Sequence, residues 1–146
     1  MLAFRLNFSV GMRYIVASIL GALIMFGMSY TWHAVILNDF SKINLPPAVF
    51  YSLLVFVYLV ISLFLSIVFD HFYKYFSSTF IKFSVGAVVG FFLYLIAFTF
   101  NFGLAHSQTK HLIIDFTWQM LEQGMGALIV GLVISLAKKA KRIHSD

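Results

Sequence analysis

The sequence predicts an all-α integral membrane protein, folded as an antiparallel four-helix bundle. Three observations predict it. Of 146 residues, 62% are apolar and only 10% are charged, with a mean hydropathy of +0.97. A soluble domain of this size carries about 25% charged residues, so ten Lys and Arg with five Asp and Glu are too few to solvate its surface. Four apolar runs free of Lys and Arg follow one another, each near the ~20 residues that a helix needs to cross ~30 Å of hydrocarbon. The links between them are too short to hold a soluble domain, so residues 1–146 read as one transmembrane unit.

The first run extends from about Tyr14 to Leu37, interrupted only by His33. Arg5 and Arg13 precede it as they would a secretory signal, but the run is too long and no small-x-small site closes it, so it reads as an uncleaved span. Residues Leu2 to Met12 mix Phe4, Leu6 and Phe8 with Arg5, Asn7 and Ser9. That pattern fits a short segment lying on the inner leaflet; a disordered tail is the alternative.

Asn38-Asp39 and Pro46-Pro47 end the first hairpin turn, because proline disfavours helix in the residue before it. The second run, about Val49 to Phe69, holds no formal charge. Asp70 to Lys82, with Lys74, Ser77 and Ser78, separates it from the third, about Phe83 to Phe100. Asn101 to Lys110 leads to the fourth, about Ile113 to Leu136, which carries Asp115, Gln119, Glu122 and Gln123. Tyr14, Trp32, Tyr73 and Trp118 stand near span ends, as in an interfacial aromatic belt.

Basic residues sort by loop. Arg5, Arg13, Lys74, Lys82, Lys138, Lys139, Lys141 and Arg142 fall on one side, against Lys42 and Lys110 on the other. Basic loops stay cytoplasmic, so both termini are expected on the cytoplasmic side. The formal charge of +5 then finds its partner in anionic headgroups, and nothing beyond the basic tail suggests nucleic acid. A duplicated hairpin is a further option: Gly21-Ala22 matches Gly86-Ala87, and Leu59 to Leu63 recurs letter for letter at Leu132 to Leu136.

Helices in lipid gain no hydrophobic driving force from meeting, so small residues at helical spacing mark their contact faces. Gly86 and Gly90 form such a seam in the third span, and Gly124, Ala127, Gly131 and Ser135 in the fourth. They fit packing within the bundle, or a homodimer.

An ionisable group inside a span costs at least ~2.5 kcal/mol on insertion scales and is a functional candidate by default. Here the candidates gather at the outer side: His33, then Asn38 and Asp39, then His106 and His111, then Asp115, Gln119 and Glu122. On a helix the last three share a face. Eleven residues from His111 to Glu122 span about 16 Å of rise, which carries Glu122 toward mid-bilayer. Asp115 is shallower and has a structural use at a positive helix N-terminus. Glu122 must be protonated, hydrogen-bonded or opened to a wet cavity.

A proton or small-solute site would therefore use Glu122, His33, Gln119, Asp115, Asp39 and Trp118. A metal site would draw on His33, His111, Asp115 and Glu122, because imidazole with carboxylate suits zinc or iron. With no cysteine there is neither thiolate ligand nor disulfide nor Cys nucleophile. No phosphate loop, nucleophile elbow or haem-attachment motif occurs, so no cofactor is implied.

Two segments, Trp32-His33 with Leu37-Asn38-Asp39-Phe40, and Asp115-Phe116-Thr117-Trp118 with Glu122-Gln123-Gly124-Met125-Gly126, resemble patterns in small four-span bacterial membrane proteins of unassigned function. The resemblance implies an inner-membrane location and a cluster joining His33 to Glu122, and supplies no activity. Small multidrug-type transporters also have four spans, but their carboxylate lies in the first helix, which here has none inside it. The expectation is a binding or transport element for a small solute or proton. An accessory subunit of a larger membrane complex stands second, and a metal-dependent enzyme third.

Overall fold

The computed structural model describes residues 10–38, 40, 45–99 and 109–143. Among them the chain forms four long helices and no strand: α1 (Val10–Ser29), α2 (Pro47–His71), α3 (Thr79–Thr99) and α4 (Thr109–Ile143). All four are long and apolar enough to cross a membrane. The protein is a four-helix, membrane-spanning bundle. Residues 1–9 lie outside the described part, whereas Gly11 and Met12, expected on the leaflet surface, belong to α1.

Helix ends follow from local chemistry. α1 runs on as a π-helical segment, Tyr30–Ile36, closed where the Leu37 N–H reaches the Trp32 carbonyl at 2.9 Å. Within it the Thr31 hydroxyl donates to the Gly27 carbonyl at 2.8 Å. Asn38 follows in the left-handed region at φ 53°, which Asn tolerates because its short side chain can bond locally. Pro46 is extended and Pro47 opens α2, the position where a missing N–H costs nothing. The Ser78 hydroxyl accepts the Phe80 N–H at the start of α3, as an N-cap does.

Contacts at the helix ends set the topology. Arg13 at the start of α1 meets Asp70 at the end of α2, and Lys138 late in α4 reaches the same carboxylate. Trp32 after α1 bonds Asp115 early in α4. Lys82 early in α3 lies across Gly131, late in α4. The helices therefore alternate in direction, as expected.

α4 is the central helix. It packs extensively on each of the others, α1 also packs on α2, and α3 makes its extended contact with α4. The apolar core lies in the α1–α2–α4 triangle: Ala17, Ala22, Met25, Tyr58, Leu65, Phe69, Ala127, Val130 and Ile134. Ile15, Ile19 and Leu23 on α1, Phe56, Val60 and Phe64 on α2, and Val88, Phe92 and Ile96 on α3 are exposed. Those faces are suited to acyl chains.

The glycines explain how α3 comes so near. A side chain on Gly86 would strike the Gln123 backbone carbonyl, and one on Gly90 the Gln119 carbonyl. From the other side, Gly124 receives the Phe83 ring and Gly131 the aliphatic stem of Lys82. The seam is used inside the chain, between α3 and α4, and is not left free for a second copy. The two copies of the letter-for-letter repeat differ in burial: Ser62 is fully buried, whereas Ser135 is half-buried and bonds the Gly131 carbonyl.

Candidate functional site

Glu122 lies on α4 and has no solvent exposure, as does its neighbour Gln123. The reason is periodicity: positions 115, 122, 126 and 130 fall on the side of α4 that faces α1 and α2. Gln123 Nε2 donates to Glu122 Oε1 at 3.2 Å. The hydroxyls of Tyr58 on α2 and Ser29 on α1 lie within interaction range of the same carboxyl. Glu122 Oε2 nevertheless has no donor in hydrogen-bonding geometry, and Gln123 Oε1 has none either. No cation pairs with Glu122 among the described residues. Such a group is costly, since a buried polar atom without a partner forfeits about 1–3 kcal/mol.

One turn above, Trp118 stacks on Trp32 with ring centroids 4.6 Å apart and planes 16° from parallel. The Trp32 indole N–H donates to Asp115 Oδ1 at 3.0 Å. The two indoles, expected in an interfacial belt, thus also join α4 to the end of the first span. Trp118 Nε1 is buried without an acceptor. Phe116 packs edge-on against Phe91 and Tyr94 of α3.

The expected His33–Glu122 pairing is not among the contacts of the carboxyl. The His33 ring stacks on Phe40 at 5.6 Å, one helical step round from Trp32, and the groups that reach Glu122 are Ser29, Tyr58 and Gln123. Gln119 is half-buried, its backbone carbonyl against Gly90. Asp39, His106 and the His111 side chain lie outside the described residues. Among the described residues no three His, Cys, Asp or Glu gather as metal ligands, and Asp115 is engaged by Trp32. An open cavity of about 420 Å³ between the π-helical segment and the start of α2 is walled by Tyr30, Asn38, Phe40, Leu45, Phe50 and Tyr51. Glu122 is not in its wall.

At the other end stands a cluster that sequence reasoning missed. Asp70 Oδ2 accepts from Arg13 Nη2 at 2.8 Å and from the Tyr14 hydroxyl at 2.6 Å. Lys138 Nζ lies 3.0 Å from Asp70 Oδ1 and also donates to the Asp70 backbone carbonyl. The Lys138 ammonium sits over the Tyr73 ring as well, 4.9 Å from its centroid. Three helices are clasped by one carboxylate. Arg13 and Lys138 entered the sequence reading as topology markers and Asp70 as a loop boundary; the one available signal was that Asp70 is the lone acidic residue among them.

Compared with protein-family models, with curated proteins and with solved structures, the chain matches none.

Proposed function

We propose that this is a small integral membrane protein whose polar site, centred on Glu122 in the outer half of the bundle, binds and releases a proton or a small solute. The observation that carries this reading is the Glu122 carboxyl itself: fully buried in a membrane-spanning helix and, among the described residues, without a cation and with one oxygen lacking a donor. Asp70, which fastens three helices, is neutralised by two cations, whereas Glu122 has only uncharged polar neighbours among the described residues. Ser29, Tyr58 and Gln123 supply polar partners from three helices, so the carboxyl can exchange one partner for another without leaving a wholly apolar surrounding.

The setting we assign is a bacterial inner membrane with both termini cytoplasmic, supported by eight basic residues on the inner flanks against two outside, and by the resemblance to small four-span bacterial proteins. The Trp32–Trp118 end is then external and the Asp70 end cytoplasmic. The test is infrared titration of protein in lipid. A carboxyl band that responds to pH in wild type and disappears in Glu122→Gln supports the reading; the same band in both, or none in either, rejects it.

A second reading is favoured by one observation. Arg13, Asp70 and Lys138 fasten three helices into a rigid platform, which would suit an accessory subunit. It predicts that Glu122→Gln lowers assembly or stability and leaves no pH-dependent function to lose.

A further inference from the structure

Four α2 residues, Tyr58, Ser62, Ser66 and Asp70, follow one another at intervals of four. That spacing places them in one line along the helix, about 6 Å of rise apart. The line faces the α1–α4 side of α2: Tyr58, Ser62 and Ser66 are all buried. At its upper end Tyr58 interacts with Glu122. At its lower end Asp70 carries Arg13, Tyr14 and Lys138. A second line of hydroxyls, Tyr14 and Ser18, runs beside it on α1, and the Ser18 and Ser66 oxygens stand 3.4 Å apart. From the predicted outer half to the Asp70 end, each turn of the α1–α2 interface below Glu122 thus offers a hydroxyl.

Packing alone does not account for this line. Ser66 donates to the Ser62 carbonyl at 2.8 Å and satisfies itself locally, but the Ser62 hydroxyl is fully buried and has no partner. Alanine would fill nearly the same space without that cost. Gly21 of α1 packs closely here: a Cβ there would strike Val130 Cγ2 and lie 2.9 Å from Ser62 Oγ. Of the six buried side-chain polar atoms without a hydrogen-bond partner among the described residues, three, Glu122 Oε2, Ser62 Oγ and Asp70 Oδ1, lie along this track.

We infer that the hydroxyl line Tyr58–Ser62–Ser66 is a proton path joining Glu122 to the Asp70 end of the bundle. The inference rests on the reading of Glu122 as a proton-binding group and extends it from a site to a route. Transfer proceeds by hops. The Glu122 O–H bond breaks as the next oxygen takes up that proton and releases its own further along. Each hydroxyl ends with as many protons as it began with, no electrons change hands, and the proton leaves to water beside Asp70 or enters there. Transfer over the ~6 Å steps requires hydroxyl rotation and single bridging waters, which hold hydrogen bonds nearly as well as direct contacts. A pH or potential gradient across the membrane drives the movement. The groups facing Glu122 are Ser29 and Tyr58 with Gln123 of its own helix; those facing Asp70 are Arg13, Tyr14 and Lys138.

Proton flux is to be read with an internal pH dye in proteoliposomes under a potassium-diffusion potential. Ser62→Ala and Tyr58→Phe, which remove one oxygen each and keep the bulk, should lower the flux by about tenfold or more, the factor for losing one strong hydrogen bond. Their thermal midpoints should stay within a few degrees of wild type, or rise for Ser62→Ala. Wild-type flux in folded Ser62→Ala, or no wild-type flux above empty vesicles, overturns the path. The infrared titration of Glu122 is independent of flux: a titrating Glu122 with no path leaves the site standing, and a silent Glu122 rejects the site itself.

Discussion

Replacing Asp70 with Asn tests whether the clasp at the inner end holds the bundle together. The carboxylate faces two cations at 2.8 and 3.0 Å, and the three side chains are only 12%, 15% and 23% exposed for Arg13, Asp70 and Lys138. Exposed ion pairs contribute about 0.2–1 kcal/mol, whereas breaking a fully buried pair costs about 3–5 kcal/mol. The clasp lies between these limits. Asn keeps an oxygen for the Tyr14 hydroxyl but turns a donor toward cations that are donors themselves, so a loss of about 2–3 kcal/mol is expected. Arg13→Met should cost less, because Lys138 still neutralises the carboxylate. In the double variant the losses should fall short of their sum by about 1 kcal/mol, the coupling of residues that share a network. Reversible unfolding in mixed micelles of rising dodecyl sulfate fraction, followed by the fluorescence of Trp32 and Trp118, measures all three. If Asp70→Asn stays within about 0.5 kcal/mol of wild type, or if the losses simply add, the clasp does not stabilise the fold as argued.

Gly86→Leu should separate α3 from α4, since even a Cβ there meets the Gln123 backbone; a loss above about 2 kcal/mol is expected, against none for Gly11→Ala, which meets nothing, with disulfide cross-linking of engineered α3–α4 cysteine pairs as the readout. Asp115→Ala should cost about 1 kcal/mol by leaving the Trp32 N–H without its acceptor, while Asp115→Asn costs a few tenths, both measured by the same unfolding assay. Lys82→Met should be nearly neutral because the stem across Gly131 is kept, whereas Lys82→Ala should lose about 1–2 kcal/mol of packing. Because the chain has no cysteine, single cysteines at Ser78 and at Asn38 should label from opposite sides of sealed vesicles, and labelling from one side would overturn the alternating topology.

Span number and direction were legible because length, hydropathy and proline act locally: no tertiary contact is needed to see that Pro46-Pro47 stops a helix or that Val49 to Phe69 must lie in lipid. The Gly86–Gly90 seam was legible for a similar reason, since a missing side chain is a property of the residue itself. What faces Glu122 was another matter. Neighbouring positions on a helix differ by about 100°, so Trp32 turns to Trp118 while His33, one step on, turns to Phe40. Sequence could mark that region as polar but could not say which of its members points inward.

The same limit concealed the α2 line. Serine in an apolar helix reads as a small residue, and Tyr58, Ser62, Ser66 and Asp70 gain meaning only when α1 and α4 close over them. Yet the spacing of four was present throughout, and on a helix it is a stronger statement than any single polar residue, because one wrong step would have put a hydroxyl against lipid. A polar line kept in register over three turns, with an unpartnered hydroxyl at its middle and carboxyl groups at both ends, is more than loose packing requires. Helices that needed only to approach would be served as well by alanine, at lower cost. The choice of serine at position 62 is therefore the point at which the packing account and the proton-path account part, and Ser62→Ala separates them: packing allows unchanged flux with equal or higher stability, and the path requires that flux be lost while stability is kept.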